Sequence, residues 1–254
     1  MGILSLFSLN ARDFENQTFQ FNVGPLFNFA RYEFGCLPKI EGYLAGLHFD
    51  FQHGAPSSFY FNLQFDGRWN AGFVCGEEDL KSQIKDYRPE LQLGYNFFFG
   101  KYESVIFTPI VGIGFLYLSN ELKPQDITYR YFSVDVPVGA HLQWVVSQEE
   151  FEVGLEALYR AQVWARVKVK TPCIELCECD RIKIKRSHGV HIEVPLTWYL
   201  TWDLSANIQT KVVPFFDWNR FGCADEANSN GICIDIPQLK QWYLGLHVDL
   251  GIRF

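Results

Sequence analysis

Two triplets place an imidazole beside a carboxylate, His48-x-Asp50 and His247-x-Asp249. A histidine oriented by an acid is the pairing a general base needs, and in extended backbone a spacing of two puts both side chains on one face. His141, His191 and Glu193 lie in segments of similar pattern, as do Asp135, Glu152, Glu156 and Arg160. No paired-aspartate motif stands opposite the two triplets, and no serine–histidine spacing suggests a nucleophile. Metal chemistry is poorly provided for by motif. Cys173, Cys177 and Cys179 form a C-x-x-x-C-x-C run without a C-x-x-C pair or a fourth ligand. Glu226, Asn228, Asn230 and Gly231 follow the first half of a calcium loop, but Pro237 stands where the closing glutamate belongs. The sequence predicts no cofactor, no metal and no assigned catalytic residue.

The elements that carry these residues are legible from parity. From Trp242 to Phe254 every second residue is apolar, while the other parity holds Tyr243, Gly245, His247, Asp249, Gly251 and Arg253. Side chains alternate faces along a strand, so this segment has one apolar face, long enough for a tilted membrane-spanning strand of about 9–11 residues. The same test predicts about ten strands: 18–31, 40–52, 58–70, 86–99, 103–118, 128–146, 151–170, 181–200, 202–216 and the terminal segment. Connections alternate between short ones and longer ones, among them 31–40, 70–86, 118–128, 170–181 and 216–240. Pro25, Pro109, Pro137, Pro195 and Pro214 fall inside predicted strands and cannot donate to a ladder, so bulges or shifted boundaries are expected there.

Composition agrees. The chain has 254 residues, 24 Phe, 12 Tyr and 7 Trp, which suits an apolar band with aromatic girdles. Mean hydropathy is −0.05, and no run of about 18 apolar residues marks a spanning helix. A net charge of −7 argues against nucleic-acid binding through a basic surface. Residues 1–16 read as an N-terminal segment, the remnant of a secretory signal, and 17–254 as one barrel domain. All seven cysteines fall in the longer connections and none in a predicted strand, which points to an oxidising compartment. Cys223 and Cys233 share a loop and are the candidate disulfide, with at least one thiol left over for another partner.

With this pattern the chain resembles the transmembrane β-barrels of Gram-negative outer membranes, most specifically in the terminal strand with Tyr243, Leu250, Ile252 and Phe254. The resemblance implies an all-β antiparallel barrel of about ten strands in the outer membrane, with long outer loops and short periplasmic turns. The cysteine-bearing loops resemble the disulfide-linked envelopes of chlamydia-like bacteria, which would make other envelope proteins partners.

Within that architecture two features invite function. Predicted strands seven and eight are too long for an apolar band of about 25 Å, so they should project as a hairpin. One parity of it reads Arg166, Lys168 and Lys170 going up and Arg181, Lys183 and Lys185 coming down, a candidate site for an anionic glycan or lipid headgroup. Glu175, Glu178 and Asp180 stand between them as candidate internal neutralisers. The other feature is a lumen network of His48, Asp50, His141, His191, Glu193, His247 and Asp249, whose charges need partners away from water. A structural or surface-interaction role leads. The alternatives are a narrow porin or channel, or an outer-membrane enzyme, either lipid-modifying or like the ten-stranded omptins, which pair Asp and His at the outer rim; here the His-x-Asp triplets fall in the inner half.

Overall fold

Alternating apolar residues give each long segment one face for lipid and one for the lumen, and the chain forms ten antiparallel strands closed into a barrel. The computed structural model describes residues 19–34, 39–54, 59–70, 73–74, 81–99, 104–123, 126–147, 151–170, 179–184, 187–203, 206–222, 227–229, 232–234 and 238–253. The strands are β1 (Phe19–Phe34), β2 (Ile40–Gly54), β3 (Phe59–Trp69), β4 (Lys81–Tyr95), β5 (Val105–Lys123), β6 (Ile127–Ser147) and β7 (Phe151–Lys170). Then follow β8, in two pieces (His188–Glu193 and Leu196–Asp203), β9 (Ala206–Phe221) and β10 (Leu239–Arg253). Each pairs with its neighbours in sequence, and β1 closes the ring on β10 in the register Gln20 to Arg253. Closure leaves the ten barrel strands no exposed edge.

The exterior is apolar. Phe27, Tyr43, Leu47, Val111, Phe115, Val138, Leu244 and Leu250 are all exposed, as lipid-facing side chains must be when no lipid is present. The outward run from Trp242 to Ile252 spans about 33 Å along the strand, or about 25 Å after tilting, the height of a bilayer's apolar band. Aromatic pairs ring both ends of this band. Phe29 meets Tyr43, Trp218 meets Trp242 and Tyr87 stacks on Tyr117 at the outer end; Phe19 meets Phe51 and Phe151 meets Trp198 at the inner end. The exterior and the fold are those of bacterial outer-membrane β-barrels, and they give the chain its place in that membrane.

Several expectations are corrected. The ladder is interrupted at Gly24–Pro25 on the β10 side and at Val136–Pro137 on the β5 side without any register shift. Proline therefore costs local pairing here instead of creating a bulge. Pro195 lies between the two pieces of β8, so that segment is not the continuous strand expected. The bulges fall elsewhere, at Val134/Asp135 opposite β7 and at Val145/Ser147. β5 and β6 run on to Lys123 and from Ile127, so the expected long outer connection is only residues 124–126, of which Asp126 has φ 53°, a conformation aspartate tolerates. Two cysteines lie in strands after all: Cys179 in Cys179–Lys183, which pairs alongside the outer end of β7 in line with β8, and Cys233 in the hairpin of Ala227–Ser229 with Ile232–Ile234. Residues 1–16, Cys36, Cys75, Cys173, Cys177, Lys185, Cys223 and Phe254 lie outside the described residues.

Depth in the band sets the cost of a misplaced charge. Leu246→Arg, midway along β10 opposite Phe27 and Pro214, should lower unfolding stability in vesicles by about 2–4 kcal/mol, whereas Ile252→Arg near the inner interface should cost about 0–1 kcal/mol. Equal losses at the two depths in urea unfolding curves would remove the band from this position.

Candidate functional site

Inward-facing residues sort into three layers. The outer third of the lumen is packed with apolar side chains: Tyr32, Leu44, Ile84, Leu118, Tyr131, Val167, Phe221 and Leu239 form one buried cluster. The long strands β5, β6 and β7 supply much of it, because their outer ends carry apolar residues on the inward face as well. The sequence reading placed only polar groups in the lumen and missed this plug.

Beneath the plug lies an ion cluster. Asp217 of β9 accepts from Arg160 Nη1 at 2.8 Å, Arg68 Nη2 at 3.1 Å and His191 Nδ1 at 2.8 Å, with Arg88 Nη1 at 3.7 Å. Arg160 Nε also donates to Glu90 at 2.9 Å and Arg68 Nη2 to Asp66 at 2.7 Å. The Arg68 and Arg88 guanidinium groups lie over the Tyr243 ring at 4.8 and 5.2 Å, and Tyr243 donates its hydroxyl proton to Asp86. Six strands, β3, β4 and β7 to β10, thus meet through side chains in the middle of the barrel. Buried arginines are tolerated only with this degree of pairing.

The inner third is polar and encloses a small cavity. Lys211 Nζ reaches Asp50 at 3.1 Å, which also accepts from Asn22 and Gln52. Tyr199 donates to Glu152 at 2.6 Å, and Gln143 donates to the same carboxylate. His141, Glu152, Glu156, Glu193 and Lys211 line a cavity of about 40 Å³, room for roughly three waters.

Within this lumen the two triplets behave differently. His247 Nδ1 lies 2.7 Å from Asp249 Oδ2, so this pair forms. His48 does not use Asp50; its Nδ1 lies 2.7 Å from Asp66 Oδ1 across the β2–β3 ladder. The rings of His48 and His247 overlie one another at 4.0 Å. His191 bridges Asp217 and Glu193, the latter at 3.1 Å.

The basic hairpin is repositioned. At the bulge opposite Val134/Asp135, Val163 and Trp164 both face outward, and parity reverses above it. Ala165, Val167 and Val169 turn inward and are buried, while Arg166, Lys168 and Lys170 face the exterior. They join residues that charge counting along one strand could not reveal. Lys85, Ser119, Arg130 and Lys168 stand opposite one another across β4 to β7. The row directly beneath is Tyr87, Tyr117, Phe132 and Arg166, the outer aromatic girdle, with Arg166 over the Trp164 ring at 4.9 Å. Arg181 and Lys183 lie on the short strand paired with the outer end of β7, where Lys183 stands opposite Arg166 along the backbone. On the opposite side of the barrel the rim charges compensate one another: Arg31 pairs with Glu33 at 3.0 Å and Glu41 at 3.2 Å, and Lys39 with Glu33 at 3.6 Å.

Fold and site together define a transmembrane β-barrel of the bacterial outer-membrane type whose outer lumen, among the described residues, is packed with apolar side chains. No family model and no curated protein matches the sequence. Among solved structures, the chain is similar to the outer membrane protease OmpT from Escherichia coli, with TM-score 0.54 and 10% identity over 93% of this chain and 97% of that one. It also matches the translocator domain of the autotransporter NalP from Neisseria meningitidis, with TM-score 0.43 and 7% identity over 91% and 88%. A third match is Ail, the attachment invasion locus protein of Yersinia pestis, with TM-score 0.35 and 7% identity over 92% and 98%. At such identities the likeness extends to the fold.

Removing the hub of the ion cluster tests its role. Asp217→Asn should destabilise the folded barrel by about 3–5 kcal/mol in denaturant unfolding, because three guanidinium groups lose a shared counter-charge. Adding Arg160→Leu should recover part of that loss. A single-variant loss below about 1 kcal/mol would mean that water already screens the cluster.

Proposed function

We propose that this chain is a structural, surface-interacting outer-membrane barrel whose β4–β7 rim binds the phosphates of anionic lipid headgroups in the outer leaflet. The observation that carries this reading is the row Lys85, Ser119, Arg130 and Lys168 set directly above the aromatic row Tyr87, Tyr117 and Phe132. Strands about 4.8 Å apart put these cations along about 14 Å of the rim, at the height where acyl chains give way to headgroups. Lys81, Lys123 and Lys170 extend the patch outward, with Glu121 paired to Lys123 at 3.2 Å. Like charges aligned across strands disfavour the bare surface, and an anion bridging them relieves it.

Two features weigh against the alternatives. The apolar plug fills the outer lumen among the described residues, which disfavours a pore. The His247–Asp249 pair lies buried beneath that plug, away from any external substrate, which disfavours a rim-type hydrolase. The disulfide component of the reading rests on position. Cys179 and Cys233 both lie on short strands at the outer end, and the Cys179–Lys183 strand contacts the Ala227–Ser229 strand. Cysteines at that end of the barrel suit the joining of loops or of neighbouring envelope proteins in an oxidising compartment.

The test is native mass spectrometry of the refolded barrel with a bis-phosphorylated outer-leaflet glycolipid and its dephosphorylated form. Replacing Arg130, Arg166, Lys168 and Lys170 by glutamine should weaken the phosphorylated adduct at least tenfold, given about 1 kcal/mol per cation near a charged membrane surface. The dephosphorylated lipid should bind both proteins equally. Unchanged binding of the phosphorylated lipid would reject the headgroup reading. Loss of binding to a sulfated glycan alone would move the partner from lipid to glycan.

A further inference from the structure

We infer that His48, His247 and Asp249 form a site for a divalent transition-metal ion in the lumen. One nitrogen from each imidazole and a carboxylate oxygen lie within 4.8 Å of one another, and all three residues are buried. Two imidazoles and one carboxylate are a ligand set for zinc or a neighbouring first-row dication, with further positions left for water.

Three observations raise this cluster above an ordinary polar core. His48 Nε2 is buried without a hydrogen-bond partner and lies 3.9 Å from Asp249 Oδ2. Asp249 Oδ1 is likewise buried and unpartnered. An orphaned ring nitrogen and an orphaned carboxylate oxygen each cost free energy unless something bonds them. His48 Nδ1, on the far side of its ring, is held by Asp66 at 2.7 Å, while His247 Nδ1 and Asp249 Oδ2 meet at 2.7 Å within the cluster, across a proton that an ion would displace. A carboxylate on Nδ1 fixes the tautomer that presents Nε2 as a lone pair, the arrangement found behind metal-bound histidines. Finally, β1 lies between β2 and β10 and contributes glycine at this level. A Cβ on Gly24 would meet Asp249 Oδ1 at 2.6 Å.

The nearby group Glu156, His191 and Glu193 has comparable spacing but a different state. Both nitrogens of His191 already face carboxylates, Asp217 and Glu193, so it serves as a double donor with no lone pair to offer. The small cavity approaches the proposed site from the inner end as far as Lys211, which stands directly opposite Asp249 in the β9–β10 ladder. The imidazole planes are 31° apart, so uptake requires the rings to splay until ligand atoms stand roughly 3.3 Å apart, as bonds of about 2.0–2.1 Å in a tetrahedral shell require.

The experiment uses the full chain, untagged, refolded in detergent, with its thiols alkylated so that cysteine cannot contribute. Titration with Co²⁺ should develop a visible ligand-field band at one ion per chain that Zn²⁺ abolishes. Affinity should fall at least tenfold in His48→Gln and in His247→Gln and remain unchanged in His191→Gln, with folding verified by heat-modifiable gel mobility. Should the first two variants fail to fold, Cu²⁺ electron-spin-echo spectra of the unsubstituted protein count the bound imidazoles. Two coupled imidazoles support the site. A folded barrel without the band, a band indifferent to His48 and His247, or fewer than two coupled imidazoles overturns it.

Discussion

One buried carboxylate, Asp217, ties the barrel together across its lumen. Backbone ladders join neighbouring strands around the circumference, but they fix nothing between opposite walls. Asp217 on β9 supplies that link by receiving Arg68 from β3, Arg88 from β4, Arg160 from β7 and His191 from β8. A strand that slipped by one residue would turn its arginine toward lipid and bring Gly67 or Trp69, Tyr87 or Pro89, or Tyr159 or Ala161 toward the charges. Lipid outside and paired charge inside therefore specify the same register twice. The layering follows from this hub, with apolar packing toward the outer end and polar contacts toward the inner end.

Much of the architecture was legible because lipid contact imposes strict alternation. The run Trp242 to Ile252 shows it directly, and the ten-strand count and outer-membrane class follow from repeating the same test. The plug was not legible as a plug, although its signal was present. Leu116–Tyr117–Leu118 and Val213–Pro214–Phe215–Phe216 are apolar on both parities, a pattern that a lipid-facing strand over a polar lumen does not need. His48 shows the limit of short spacing. Its sequence neighbour Asp50 shares its face, but the cross-strand residue Asp66 is the one within reach, because directly opposed side chains are closer than those two apart on one strand. Gly24 carried no sequence signal at all; its role appears only once β1 is seen lying between β2 and β10.

The bulge in β7 connects the interior to the rim. Along unbroken alternation, Arg166, Lys168 and Lys170 would continue the inward face of Glu152, Glu156 and Arg160. They would then enter the apolar plug, where unpaired ammonium and guanidinium groups are prohibitively costly. The one extra residue at Val163–Trp164 exchanges the faces. Ala165, Val167 and Val169 complete the plug, and the cations move to the exterior beside Arg130. A single insertion thus satisfies the core and creates the basic row in the same step, which is why neither feature can be read from β7 alone. The asymmetry of the rim follows too, since the β1–β2 side has no such reversal and keeps its arginine and lysine paired with glutamates.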